Sequence, residues 1–114
     1  MSSYTALMTK QPDTGECARI LKALGDESRL HIVRHLLQGE KNVSELVDLL
    51  AMPQPQVSHH LSILRASGLT GSRREGTRII NFIEPEVRSL LTKESLGLDF
   101  GCCSIQFDER GPAS

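Results

Sequence analysis

The chain has 114 residues, which suits one domain with a modest core. Its 13 basic and 14 acidic residues net −1, so any nucleic-acid surface must be a local patch, and four aromatics without Trp argue against base stacking on single strands. No apolar run is long enough to span a bilayer and the start is not a secretory leader; a cytoplasmic protein is expected, in which three cysteines read as ligands or redox groups rather than a disulfide framework.

Residues 1–13 are polar with scattered apolar side chains and read as a flexible arm. A helix can start at Asp13 or Thr14, with Cys17, Ile20, Leu21 and Leu24 on one face and Gly25 as its stop. Asp26 is a suitable N-cap for a second helix that turns Leu30, Val33, Leu36 and Leu37 inward and Arg29 and Arg34 outward, ending at Gly39. Val43-Ser44 opens a short third helix, with Ser44 as cap and Leu46, Val47 and Leu50 inward. After the tight connection Ala51-Met52-Pro53 comes PQPQVSHHLSILRASG. Val57, Leu61 and Leu64 make one apolar stripe of this fourth helix, and Gly68 closes it. Its outward face, with Gln56, Ser58, His59 and Ser62, is polar and almost uncharged, so it can exchange hydrogen bonds with base edges or phosphates. Short helix, brief turn, second helix is helix-turn-helix spacing.

The pattern then becomes extended. LTGSRR and TRIINFI flank Glu75-Gly76, a hairpin signal that brings Arg73, Arg74 and Arg78 together. Segment 54–80 holds four arginines against one glutamate, a basic patch inside a near-neutral chain. Placed after a helix-turn-helix, the hairpin reads as a wing whose arginines meet phosphates or the minor groove; a merely solvated hairpin is the plainer alternative. Glu84-Pro85 opens a last helix with Val87, Leu90 and Leu91 on its stripe and Gly97 at its end. The remainder, around Cys102-Cys103, reads as a short extended segment and a disordered end. The expected division is an arm at 1–13, a winged domain at 14–98 and a cysteine-bearing tail at 99–114.

ALGDESRLHIVRHLLQGE, VSELVDLL, PQPQVSHHLSILRASGLT and SRREGTRIINF, in that order, resemble the ArsR/SmtB family of metal-sensing winged-helix repressors over roughly residues 18–92. The resemblance implies a mainly α winged helix-turn-helix (α-α-α-α-β-β-α), a homodimer through the first and last helices, and release of double-stranded operator DNA when an effector binds. It implies DNA contact by Gln54, Gln56, Ser58, His59 and Ser62. Many relatives carry Arg where His59 stands, which weakens the case for a charge contact there. His60, beside the apolar stripe, reads as structural. His31 and His35 are spaced i, i+4, which suits a metal, but no third ligand is evident nearby.

The Cys-x-Cys of the best-known arsenic sensors is absent. EKNVSEL has Asn42 and Ser44 at those positions, and EPEVRSLLTKESLGL lacks the histidine that the family's zinc site on the last helix needs. Cys102, Cys103 and Cys17 remain. Trivalent arsenic, and with it antimony, prefers three soft thiolates, and some relatives sense arsenic through adjacent C-terminal cysteines. Whether such a site lies within or between protomers stays open, as does whether Cys17 is simply a small buried hydrophobe. The alternatives are a Cd(II), Pb(II) or Zn(II) sensor, a thiol-redox sensor closing Cys17–Cys102 or Cys17–Cys103, and a metalloid chaperone without DNA binding. No Cys–His or carboxylate pair is placed for catalysis, so an enzyme is not expected.

Overall fold

The structure is a computed structural model that describes residues 13–91 and 97–107. It is a winged helix-turn-helix, as the sequence pattern predicts. The helices are α1 (Thr14–Leu24), α2 (Glu27–Gln38), α3 (Val43–Leu50), α4 (Gln54–Ala66) and the single turn α5 (Pro85–Arg88). The strands are β1 (Lys41–Asn42), β2 (Thr70–Glu75), β3 (Arg78–Ile83), β4 (Gly97–Asp99) and β5 (Ser104–Gln106).

Local chemistry sets the helix ends. The Asp13 carboxylate accepts from the Glu16 N–H at 2.8 Å, and Asp26 caps α2 by accepting from the Arg29 N–H at 3.0 Å. Asn42, not Ser44, caps α3. Its side chain accepts from the Glu45 N–H at 2.8 Å while the Glu45 carboxylate accepts from the Asn42 N–H at 2.9 Å, a reciprocal capping box that starts two residues earlier than expected. At the end of α4 the Leu69 N–H reaches the Leu64 carbonyl and the Gly68 N–H reaches Arg65, with Gly68 at φ +84°, the left-handed residue this closure needs.

The core gathers one face of each helix: Ile20, Ala23 and Leu24 of α1, Ile32, Val33 and Leu36 of α2, Leu46 of α3, and Val57, Leu61 and Leu64 of α4. A three-stranded antiparallel sheet, in the order β1-β3-β2, carries the wing. Its tip is the two-residue turn Gly76-Thr77, with Gly76 at φ +64°.

The C-terminal part differs from expectation. The last helix keeps only Pro85–Arg88, and Gly97 begins a strand instead of ending a helix. Arg88 still anchors that turn by donating to the Leu36 and Leu37 carbonyls at the end of α2. Beyond residues 92–96, which lie outside the described part, β4 and β5 pair as an antiparallel hairpin with Leu98 opposite Ile105. Leu98 and Phe100 are buried in the common core, and Leu91 bridges to Leu98. Burying two such side chains stabilises the docking by about 1.5–3 kcal/mol each. The boundary expected between 98 and 99 therefore falls inside a packed strand. The expected arm lies outside the described residues except for Asp13, and so does the chain after Phe107.

Candidate nucleic-acid interface and thiol site

The stripe of Val57, Leu61 and Leu64 fastens α4 to the core. On the opposite side Gln54, Gln56, Ser58, His59 and Ser62 are all exposed. Ser62 already donates its hydroxyl to the His59 carbonyl at 2.7 Å, so toward a ligand it acts mainly as an acceptor. His60 is half-buried, as its place beside the stripe predicts. Its Nδ1 accepts from an Arg29 guanidinium N–H at 3.2 Å, and the Asp26 carboxylate lies 3.9 Å away. Arg29, expected to point outward, instead folds over the end of α1 and donates to the Ala23 and Lys22 carbonyls at 2.6 and 3.3 Å.

Strand alternation separates the wing arginines. Arg73 and Glu75 share one face of β2 and Arg74 takes the other. Arg73 donates from both terminal nitrogens to the Glu40 carboxylate at 2.9 and 2.6 Å and from Nε to Glu75 at 2.6 Å, and it lies over the Phe82 ring. Its charge is already compensated within the protein, so the phosphate contact expected of Arg73 would have to displace these carboxylates. The same pairing holds the Glu40 carboxyl below its ordinary range. Arg74 and Arg78 are exposed, and among the described residues neither is in an ion pair. Between the starts of α3 and α4 and the wing tip lies a cleft of about 250 Å³, where Gln54 and Arg78 meet Asn42, Ser44 and Thr77. Ser44 and Thr77 were not anticipated here, because they lie next to Gln54 only through the fold.

The second site joins the two ends of the described chain. Cys17 sits on α1. Cys102 and Cys103 follow Gly101 at the tip of the β4–β5 hairpin, where Gly101 adopts φ +89°. The Gly101 N–H donates to the Asp99 carboxylate at 2.9 Å and the Phe100 N–H to the Cys103 carbonyl, so the tip is shaped by its own hydrogen bonds. Cys17 and Cys102 form a disulfide with Cα atoms 6.3 Å apart, an ordinary span. The Cys103 sulfur lies 3.8 Å from both others. All three sulfurs fall within 4.8 Å of one another, the single cluster of that kind among the described residues. All three come from one chain. Burial and the neighbouring Asp99 charge push the Cys103 thiol above its ordinary range. Among the described residues, no third ligand joins His31 and His35. His31 pairs with Glu27 at 3.4 Å instead.

The fit to an ion follows from the donors. Three soft sulfurs converge without a competing nitrogen or carboxylate in the cluster, a set that selects soft, thiophilic ions. Ligation uses thiolates, so the Cys17–Cys102 bond and a three-sulfur ion site are alternative states of the same atoms. At the positions of the missing Cys-x-Cys, Asn42 is the α3 cap and Ser44 is exposed.

The model of the family described as "Bacterial regulatory protein, arsR family" matches residues 26–70, from the α2 cap to the first residue of the wing. An uncharacterised HTH-type transcriptional regulator from Methanocaldococcus jannaschii is 44% identical over 63 residues, covering 54% of this chain and 71% of its own. A protein from Streptomyces lividans named "Probable mercury resistance operon repressor" is 37% identical over 81 residues, 70% of this chain and 63% of its own. The solution structure of a homodimeric winged helix-turn-helix DNA-binding domain from Mycobacterium bovis superposes with a TM-score of 0.63 at 32% identity, covering 78% of each chain. Among the described residues no helix is long and apolar enough to cross a membrane. Fold, matched segment and relatives agree: this chain belongs to the ArsR/SmtB family of winged helix-turn-helix transcription regulators.

Proposed function

We propose that the protein is a homodimeric, operator-binding repressor that releases DNA when trivalent arsenic, or antimony, binds Cys17, Cys102 and Cys103. The observation that carries this reading is the convergence of three sulfurs within 4.8 Å in a single chain. As(III) forms three bonds in a pyramid with a lone pair at the apex, and three soft thiolates suit it. Gln54, Gln56, Ser58, His59 and Ser62 read base edges and phosphates, and Arg74 and Arg78 hold the backbone. The homodimeric relative supports a dimer, and Leu21, 44% exposed on α1, offers an apolar contact for one. Two recognition helices then meet half-sites about 34 Å apart.

The ion ties the C-terminal hairpin to α1 and favours a conformer in which the recognition helices are misplaced. Tenfold weaker DNA binding requires only about 1.4 kcal/mol of coupling. The test is operator anisotropy titrated with As(III), Sb(III), Cd(II), Zn(II) and Hg(II). Wild type is expected to dissociate with As(III), whereas Cys102→Ser/Cys103→Ser keeps DNA affinity and ignores the ion. Unchanged As(III) release by that double variant overturns the effector site. Failure of the reduced protein to bind duplex DNA overturns the repressor.

A further inference from the structure

We propose that the thiol cluster is also a peroxide-responsive switch, in which oxidation closes Cys17–Cys102 and removes two of the three ion ligands. The inference concerns regulation of the ion site and rests on that reading for its consequence, though not for its chemistry. Three observations carry it. The disulfide is present with unstrained Cα separation. Cys102 is exposed at the hairpin tip, whereas Cys17 and Cys103 are half-buried, so a solvent-borne oxidant meets Cys102 first. The hairpin is seated by Leu98 and Phe100 and shaped by the Asp99–Gly101 bond, independently of any ion, so the sulfurs stay in reach in the reduced protein. In a reducing compartment, as the sequence leads one to expect here, a protein disulfide acts as a reversible signal more often than as a staple.

The oxidant class is a hydroperoxide, ROOH. The Cys102 thiolate attacks the terminal peroxide oxygen, the O–O bond breaks, and RO⁻ leaves and takes up a proton. Cys102 becomes a sulfenic acid. The Cys17 thiolate then attacks the Cys102 sulfur and expels hydroxide, which is protonated to water. In sum, two thiols and ROOH give one disulfide, ROH and H₂O, with both electrons passing from sulfur to the peroxide. Cys103 is the other thiol in reach, at 3.8 Å, but a bond between adjacent residues closes a strained ring, so Cys17 resolves the sulfenic acid. A thiol reductant reverses the change by exchange.

The experiment exposes the reduced full-length protein to stoichiometric hydrogen peroxide, counts free thiols, maps the linked peptides, and then measures arsenite binding after desalting. Free thiols are expected to fall from three to one per chain with Cys17 linked to Cys102, and arsenite affinity to fall at least tenfold and recover on reduction. Cys103→Ser separates the two readings, since it retains the disulfide but lacks the third ligand. A Cys102–Cys103 bond, a bond between chains, three surviving thiols, or undiminished arsenite binding by the oxidised protein overturns the switch. If the reduced protein ignores arsenite while Cys17–Cys102 still forms, the arsenic reading fails and the switch stands.

Discussion

Arg73 and Arg74 are neighbours in sequence with different surroundings. Alternation turns them to opposite faces, and only Arg73 meets Glu40, 33 positions away, so no local pattern distinguishes them. Arg74→Ala is expected to weaken binding to all duplexes alike and to reduce the salt slope by about one. Arg73→Ala is expected to leave that slope unchanged and to raise amide exchange at the wing tip, read by NMR. On α4, by contrast, exposure was legible residue by residue, because an apolar stripe at helical spacing fixes what faces away. His35 allows a pH prediction. Burial, then the charges of Lys41, His31 and Arg34, hold its imidazole below the ordinary value. The unfolded chain therefore protonates first as pH falls. Stability is expected to decline once pH drops below about 6.5, and the decline to cease when the folded imidazole protonates too. Urea midpoints followed from neutral to acid pH should show a shallower fall for His35→Gln than for wild type.

The C-terminal hairpin is the element the sequence concealed. Val87, Leu90 and Leu91 have helical spacing, yet the chain leaves the helix after Arg88 and Leu91 bridges instead to Leu98. Each strand of the hairpin is three residues long, enough to read as an extended segment but not as a docked pair, and its stability comes from Leu98 and Phe100 entering a core built by residues far away in sequence. The wing, with six-residue strands and a glycine turn, was legible. So was the trio of cysteines as a set, though not that one chain supplies all three. Gly97 is the hairpin's weak point: a Cβ there would collide with the Ile105 carbonyl oxygen. Gly97→Ala is expected to undock the hairpin, lowering the melting temperature and slowing Cys17–Cys102 formation together. Leu98→Ala is expected to cost about 2–5 kcal/mol in chemical denaturation. If either variant melts early but keeps wild-type disulfide kinetics, the hairpin does not position the thiols.

At the scale of the whole molecule, the proposed effector site touches neither α4 nor the wing, and α1 is one element through which a signal can pass. The described contacts provide one path. Arg29 caps the last carbonyls of α1 and donates to His60, which lies on α4 beside Leu61. On this proposal a pull on Cys17 would move the helix whose end Arg29 grips, and Arg29 would carry the shift to α4. Two substitutions test this differently. Arg29→Met removes the cap and the contact together, and His60→Ala leaves the cap and removes only the contact. Both are expected to bind arsenite and operator within about threefold of wild type, while arsenite-driven release falls from tenfold or more to below about threefold. Linkage supplies a second reading of the same quantity. Operator DNA must weaken arsenite binding by the factor by which arsenite weakens DNA binding, and that factor should shrink equally in both titrations. Full release retained by both variants would route the coupling through the dimer contact of α1 instead.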